Sequence, residues 1–362
     1  MKPRLSTVPT VAWIMLLALL AAWLLTWSPT AAAADQVVDL LARSRALQRA
    51  QQAVLGVQAV AVEDARSART LGKARSGSGV LIGADGLVLT IGYLVLEAEA
   101  VALVHGDGRL VPARVLGYDV ATGFGLLQAL TPLGLEPAPL GRSGALSAEE
   151  PLMIASGGGD GAVSVAQLVS RRDFAGYWEY HIEAALFTAP PRRDHSGAGL
   201  FNSAGELVGI GSLLVADAAG SVEGRTDGVG GGAGQRPQRS GNLFVPVDLL
   251  TPILAELRAR GFSAASRRAW LGLNCAVLDG RIRVLRVSDD SPADVAGLVA
   301  GDGILRIDGT EVHAVDQLWK TLWAGGAPER EISLEIERDN LVQTLKVFSV
   351  DRMKTLKRAK GI

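Results

Sequence analysis

Short apolar runs separated by turn residues occupy most of the chain between residues 54 and 261. The run at residues 79–82 is followed by a turn signal, Ala84-Asp85-Gly86, and then by the run at residues 87–90. Further runs lie at residues 56–62, 100–104, 110–116, 125–130, 151–155, 163–169, 179–185, 206–214 and 242–245. Many short strands with glycine-rich turns predict a β-barrel or sandwich rather than a parallel sheet with crossover helices.

Two stretches outside these runs have apolar residues at helical spacing. The pattern predicts a helix at residues 35–53 and a second one at residues 247–260, which ends before Gly261. Between them, residues 216–241 are rich in glycine and offer few apolar side chains to bury. We therefore expect a disordered surface insertion there.

The last third of the chain has a different organisation. Residues 262–268 form a polar linker, and residues 269–350 show the pattern of a compact module that contains strands and two helices, at 292–296 and 315–323. Residues 351–362 are basic, and we expect them to be a solvated tail.

The amino-terminal segment, residues 1–34, carries no charge after Arg4. An apolar run at residues 11–27 is followed by four alanines immediately before Asp35. This order is typical of a cleaved secretory signal, but the run also approaches the ~20 residues of a retained membrane anchor. Both alternatives export the rest of the chain.

Composition excludes several classes of function. The chain has 36 Lys and Arg against 37 Asp and Glu, and a net charge of −1 does not suit a dedicated nucleic-acid binder. The lone Cys275 rules out an internal disulfide, and we expect it to be buried and inert. The four histidines are scattered without ligand spacing, so we expect neither a metal nor another cofactor.

Three motifs follow one another in the predicted barrel region. Residues 76–82 read S-G-S-G-V-L-I and lead to G-L-V-L-T at 86–90, and residues 119–127 read D-V-A-T-G-F-G-L-L. Residues 194–202 read D-H-S-G-A-G-L-F-N, followed by G-E-L-V-G-I at 205–210. In this order the motifs resemble those of the Deg/HtrA family of serine proteases.

The module at residues 269–350 resembles the PDZ domain of the same family. Residues 291–298 read S-P-A-D-V-A-G-L, and residues 301–309 read G-D-G-I-L-R-I-D-G. The resemblance covers residues 54–347. It implies a mainly β protein, with a chymotrypsin/trypsin-like double β-barrel of two six-stranded barrels at residues 54–261, followed by a PDZ domain.

The catalytic triad that this resemblance implies is degenerate. Ser196 stands at the nucleophile position, but Tyr93 replaces the histidine and Gly123 replaces the aspartate. A serine needs a base oriented by a carboxylate, and a phenol with a pKa near 10 is a poor base. Asp194 stands where the family has the first glycine of the oxyanion loop, residues 194–196, and a carboxylate there would oppose a developing oxyanion.

Two histidines are candidate substitutes for the missing base. His195 adjoins Ser196, but neighbours on a tight turn generally point apart, and a solvated loop histidine is the simpler interpretation. His181 lies on the strand before the serine motif, where an ordinary strand histidine is again the simpler interpretation.

The PDZ module keeps its binding apparatus. Trp270, Leu271, Gly272 and Leu273 stand where PDZ domains of the family carry the loop that binds a terminal carboxylate, through backbone N–H groups. On the second helix, Leu318 and Leu322 are four residues apart and would face the groove with Leu273. Packing in the domain core is the alternative role for these two leucines.

These expectations combine into an exported, periplasmic pseudoprotease that is soluble or anchored to the inner membrane. It would bind unfolded polypeptides or protein C-termini through its PDZ domain, in envelope protein quality control or regulation. Two alternatives stay open: an active serine endopeptidase that uses Ser196 with a non-standard base, and a regulatory scaffold for an active paralogue. A homotrimer and a hetero-oligomer with such a paralogue both fit the family.

Overall fold

The short apolar runs form strands, and these strands close into two β-barrels. The structure is a computed structural model that describes residues 31–148, 150–157, 162–220 and 239–357. A helix, α1, covers Ala31–Gln52, and residues 1–30, which hold the predicted signal or anchor, lie outside the described residues. Within the described ranges, no helix is both long enough and apolar enough to cross a membrane.

The first barrel is closed by six antiparallel strands in the order β1-β2-β3-β6-β5-β4. Its strands are β1 (Val54–Ala61), β2 (Ala74–Gly83), β3 (Leu87–Ile91), β4 (Ala98–Val104), β5 (Leu110–Tyr118) and β6 (Phe124–Ala129). Two short helices interrupt the order, α2 (Ala68–Leu71) after β1 and α3 (Gly92–Val95) after β3. Every residue of β3 is buried, and its one polar side chain, Thr90, donates a hydrogen bond to the Ser78 carbonyl at 2.6 Å.

The second barrel repeats the design with six strands in the order β10-β11-β12-β9-β8-β7. They are β7 (Pro151–Ala155), β8 (Val163–Ala175), β9 (His181–Ala189), β10 (Gly199–Phe201), β11 (Leu207–Val215) and β12 (Gly241–Pro246). The sequence pattern missed β10, because three residues are too few to show an alternation. The two barrels share a continuous apolar core that includes the fully buried Phe124, Phe187 and Phe201.

The helix predicted at residues 247–260 is wrong in its first half. The chain forms a 3-10 turn at Val247–Leu249 and becomes α-helical only in α4, Leu254–Arg260. Pro252 lies between them, and its missing N–H and its ring interrupt a continuous helix. The predicted end is correct, since Gly261 caps α4 with a φ of +83°.

The linker at residues 262–268 is docked rather than free. Asp119, at the end of β5, is fully buried and accepts hydrogen bonds from the Ser263 N–H at 3.0 Å and from the Ser266 hydroxyl at 2.5 Å. It also accepts from the N–H of Thr122 at 2.9 Å. This single carboxylate therefore ties the start of the linker to the first barrel.

The last domain is a five-strand path, β14-β15-β16-β18-β19, with β17 paired to β16. The elements are β13 (Ala269–Trp270), β14 (Leu273–Leu278), β15 (Arg281–Val287), α5 (Pro292–Val295), β16 (Gly303–Ile307), β17 (Thr310–Glu311), α6 (Val315–Ala324), β18 (Glu331–Arg338), β19 (Leu341–Phe348) and β20 (Val350–Asp351). Buried residues alternate along β18 because one face covers the domain core. Two barrels followed by this domain confirm the predicted fold class.

Two predicted flexible segments are partly ordered. The carboxyl-terminal tail forms a 3-10 turn at Arg352–Thr355, and the Arg352 guanidinium lies over the Trp270 ring, 4.6 Å from its centroid. At the start of the predicted insertion, Ala218 is buried and its N–H bonds to the Arg239 carbonyl at 2.8 Å. The greater part of that insertion, residues 221–238, lies outside the described residues.

Candidate functional site

Ser196 lies in a tight turn held between the two barrels. Its carbonyl oxygen accepts a hydrogen bond from the Ser78 N–H at 2.8 Å, and the Gly197 N–H donates to the Gly211 carbonyl at 2.8 Å. Gly197 has a φ of +75°, and a Cβ atom there would lie 1.9 Å from the Ser78 carbonyl oxygen. The S-G-S-G motif and the serine motif therefore contact each other directly, through Ser78 on one side and Ser196 and Gly197 on the other.

Tyr93 reaches this serine from the first barrel. It lies in α3, and its phenolic oxygen is 2.8 Å from Oγ of Ser196 and 2.9 Å from the carbonyl oxygen of Ser212. A carbonyl can only accept, and a phenol has one proton to give. Tyr93 therefore donates to Ser212, and the Ser196 hydroxyl donates to Tyr93.

This contact positions the serine hydroxyl without activating it. Burial raises the pKa of Tyr93 to about 12, and the hydrogen bond from Ser196 opposes that effect only in part. At neutral pH the phenol therefore keeps its proton. A neutral phenol oxygen is far too weak a base to remove a serine proton, which a working nucleophile requires.

The position that the resemblance assigns to aspartate has no room for one. Gly123 has a φ of +81°, and a Cβ atom there would lie 2.4 Å from the hydroxyl oxygen of Tyr180. That hydroxyl donates to the Thr122 carbonyl at 2.9 Å, and Tyr180 is buried. An aspartate would thus meet both backbone strain and the Tyr180 side chain.

Asp194, in the turn before the serine, is held by its neighbours. Its carboxylate pairs with the Arg192 guanidinium, with Oδ1 2.9 Å from Nε, and accepts a hydrogen bond from the Ser156 hydroxyl at 2.5 Å. The hydrogen bonds from Arg192, aided by Ser156, lower the pKa of Asp194 to about 2. At neutral pH the Asp194 carboxylate is therefore ionised, and the Arg192 guanidinium in the same loop offsets its charge.

The two histidines make other contacts. His195 has Nδ1 3.1 Å from the Arg192 carbonyl oxygen, and His181 has Nε2 3.4 Å from Oδ2 of Asp173. Burial lowers the pKa of His181, and the positive charge of Lys320 on α6 adds to the effect. Tyr93 is thus the candidate base that the structure brings to Ser196.

The backbone N–H groups predicted to bind a carboxylate already hold one. Leu271, Gly272 and Leu273 donate to the Glu179 carboxylate at 3.1, 2.6 and 3.0 Å. Gly272 has a φ of +86°, with Ser291 2.3 Å from where its Cβ would be. Burial raises the pKa of the Glu179 carboxyl, and these N–H groups and Arg352 oppose that rise.

The remaining predicted PDZ residues, Trp270, Leu318 and Leu322, are buried. Leu318 and Leu322 are fully buried in the domain core, and Trp270 is buried in β13, where it pairs with Val350. Trp319, also fully buried, donates its indole N–H to the Gly176 carbonyl at 3.0 Å. Leu318 and Leu322 thus belong to the buried core of the domain, and their role in the groove stays a prediction.

Sequence reasoning missed Glu179 and Tyr180. Both lie in an aromatic stretch, Tyr177-Trp178-Glu179-Tyr180, and the run predicted as a strand at residues 179–185 begins with them, whereas β9 begins at His181. Their partners are 58 and about 90 positions away in the chain, so no local pattern marks them. An acidic residue among three aromatic ones was the available signal.

Among the described residues, no group of three or more His, Cys, Asp and Glu side chains is placed to hold a metal ion. Comparison with known proteins identifies two domains in the chain. The family model of the trypsin-like peptidase domain matches residues 77–210, and that of the PDZ domain matches residues 269–348.

Curated relatives share both parts. A protein named "Probable periplasmic serine endoprotease DegP-like" from Ectopseudomonas mendocina is 28% identical over 284 residues, which are 75% of this chain and 55% of that protein. The serine endoprotease DegS of Haemophilus influenzae is 24% identical over 277 residues, or 72% of this chain and 73% of the relative. The chain thus spans about half the length of the first of these relatives.

Solved structures show the same fold. The HtrA-type protease AlgW with a tripeptide has a TM-score of 0.51 and 22% sequence identity, over 86% of this chain and 97% of that one. The same protease with a decapeptide has a TM-score of 0.51 and 21% identity, over 86% and 98% of the two chains.

Proposed function

This chain belongs to the Deg/HtrA family, and from that premise we propose that it is a pseudoprotease, which binds polypeptides without cleaving them. One observation carries the proposal: the group 2.8 Å from Oγ of Ser196 is the phenol of Tyr93, whose pKa is raised to about 12. Serine peptidases need a base at that place that accepts a proton near pH 7. The Tyr93 hydroxyl keeps its proton and donates it in a hydrogen bond to the Ser212 carbonyl.

The surroundings of Ser196 support the same conclusion. The triad needs a carboxylate to orient its base, and the space at Gly123 is filled by the Tyr180 hydroxyl. Asp194 replaces the first glycine of the family's oxyanion loop, and its carboxylate is engaged in an ion pair with Arg192. Each change acts on a separate requirement of acyl transfer, so restoring one of them leaves the others unmet.

Peptide binding is assigned to the PDZ domain. Such domains add an extended peptide to a sheet edge and hold its terminal carboxylate with backbone N–H groups. The N–H groups of residues 271–273 converge on a carboxylate in this chain, which supports this assignment. One relative is named a probable periplasmic serine endoprotease, and another is named a serine endoprotease. We therefore propose that this protein lies in the cell envelope and that its partners are exported polypeptides.

The test compares the purified protein with its Ser196→Ala variant. Each is incubated with unfolded casein and, separately, with a fluorescent fluorophosphonate probe, and an active trypsin-like protease serves as the positive control. We expect no cleavage and no labelling of either protein. Cleavage and labelling by the native chain alone would overturn the proposal, and variants of Tyr93, His181 and His195 would then identify the base.

A further inference from the structure

The segment between β8 and β9 lies along the edge strand of the PDZ domain. β14 is at one end of the strand order of that sheet, so its outer edge is open for pairing. Trp178 forms an antiparallel bridge with Asn274, and the Cys275 N–H donates to the Tyr177 carbonyl at 2.5 Å. The segment thus takes the place of an added strand.

The direction of this strand matters. As the chain advances from Tyr177 to Glu179, its partners run backwards from Cys275 to Leu271. A bound C-terminus in a PDZ groove has the same antiparallel sense, with its carboxylate in the loop that precedes the strand. Here the side-chain carboxylate of Glu179 stands in for the terminal one.

The helix on the other side of the groove also holds the segment. The indole N–H of Trp319, on α6, donates to the Gly176 carbonyl at 3.0 Å. The next residue of the helix, Lys320, has its ammonium 3.3 Å from Oδ2 of Asp173. Strand edge, carboxylate loop and helix therefore all engage one short stretch of the second barrel.

We propose that residues 176–180 are an internal pseudoligand of the PDZ domain, so that an external polypeptide binds the groove only by displacing Glu179. This inference rests on the proposed function in one respect, the assignment of peptide binding to this groove. The competitor that the site selects has a free C-terminal carboxylate on an extended backbone. Such an end can replace both the three N–H contacts and the pairing with β14.

The tethered segment lowers the apparent affinity for any competitor. A ligand joined to its site by the same chain acts at a high effective concentration, and the fraction of open grooves scales the affinity that is measured. Removing the Glu179 carboxylate frees the loop N–H groups. We therefore expect affinity for a carboxylate-ended peptide to rise about tenfold or more.

The first experiment uses the full chain and fluorescence anisotropy. The probe is a short fluorescein-labelled peptide ending in valine with a free carboxylate, and the same peptide with a C-terminal amide is its control. Glu179→Ala and the isosteric Glu179→Gln are compared with the native chain and with Glu183→Ala, since Glu183 is exposed four positions along the same hairpin. The proposal expects tighter binding of the free-carboxylate probe by Glu179→Ala, and a smaller gain by Glu179→Gln, whose amide oxygen still accepts from the loop N–H groups. Equal affinity of all proteins would overturn the pseudoligand and leave peptide binding intact.

The second experiment needs no peptide. Hydrogen exchange followed by mass spectrometry reports on the N–H groups of Leu271, Gly272 and Leu273, which donate to Glu179, and of Cys275, which donates to Tyr177. We expect slow exchange in the native chain and in Glu183→Ala, and faster exchange in both Glu179 variants. If no protein binds the probe but this difference is seen, peptide binding fails and the pseudoligand stands. Exchange that is equal in all four proteins would overturn the pseudoligand.

Discussion

The phenolic oxygen of Tyr93 lies 2.8 Å from Oγ of Ser196, a separation that would suit a general base. The hydrogen-bond geometry of a nucleophile and its base is thus present, but the group that supplies it has the wrong acidity. Because burial raises the pKa of Tyr93 to about 12, this phenol is not a base that could take the Ser196 proton at neutral pH. The contact therefore has the distance of a nucleophile–base pair without a suitable base, which is the relationship on which the proposed function rests.

The raised pKa of Tyr93 predicts a pH dependence of stability. A phenol whose pKa is higher in the folded state than in the unfolded state binds its proton more tightly when folded, so its contribution is complete below about pH 10. It is lost as the pH rises from about 10 to about 12. We expect Tyr93→Phe to lose less free energy of unfolding over this interval than the native chain, as measured by urea denaturation.

The control for this titration is Tyr177→Phe, because the Tyr177 side chain is 56% exposed. This variant should follow the native pH dependence. If Tyr93→Phe and Tyr177→Phe behave alike, the Tyr93 hydroxyl is not the group responsible.

The conformation and surroundings of Gly123 predict that any side chain at this position lowers the free energy of unfolding. We expect Gly123→Ala to lower the free energy of unfolding by about 2–4 kcal/mol, through positive φ and overlap with Tyr180. Gly108→Ala separates the two causes, since Gly108 has a φ of +84° but no atom within 4 Å of its Cβ position. It should lose only about 1 kcal/mol.

A double-mutant cycle tests the Tyr180 contact directly. Because the nearest atom to the Gly123 Cβ position is the Tyr180 hydroxyl oxygen, adding Tyr180→Phe should recover part of the loss caused by Gly123→Ala. Strictly additive losses would show that the overlap has no energetic weight.

Because Asp119 holds the linker through hydrogen bonds, we expect its removal to loosen the linker. Burial alone would raise the pKa of Asp119, but hydrogen bonds from Ser263, Ser266 and Thr122 lower it below its usual value. Its stabilising contribution is therefore present above the unfolded pKa near 4 and is lost as the pH falls through the folded pKa. We expect Asp119→Ala to lose about 2–4 kcal/mol and to speed tryptic cleavage at Arg267 or Arg268.

Asp279→Ala is the matched control for this variant, because Asp279 is exposed in a turn of the PDZ domain. It should leave linker cleavage unchanged. Equal cleavage of native protein and Asp119→Ala would mean that the linker does not depend on this carboxylate.

Cys275 predicts an inert thiol. Its side chain is fully buried, and burial raises the pKa of the thiol well above its ordinary value. We expect Ellman's reagent to react with the native protein only in denaturant. The readout is unambiguous because the chain has one cysteine. Rapid reaction without denaturant would show that the core around β14 opens.

Local patterns and motif spacing predicted most of the fold. Runs such as residues 151–155 matched a strand to the residue, since apolar segments between turn signals are typical of barrels. The continuous helix at residues 247–260 was wrong because Pro252 overrides helical spacing. The short strand β10 left no pattern to read.

Only those residues of the candidate site that belong to a sequence motif could be predicted. The S-G-S-G and serine motifs led to Ser196 and Tyr93, whose side chains are 103 positions apart in the chain and meet in space. Glu179 could not be placed, because its partners are backbone N–H groups and these carry no residue identity. The docking of the linker on Asp119 could not be predicted either, because Ser263 and Ser266 lie more than 140 positions away in the chain and look like ordinary linker residues.

The contact between Gly123 and Tyr180 has an evolutionary consequence. An aspartate introduced at Gly123 would meet the Tyr180 hydroxyl, and a histidine introduced at Tyr93 would find no carboxylate to orient it. Under the proposed function, neither single step would restore a peptidase, and the first one would lower stability. Selection acts on steps that are tolerated one at a time, so a pseudoprotease with this contact would have no short route back to a working triad.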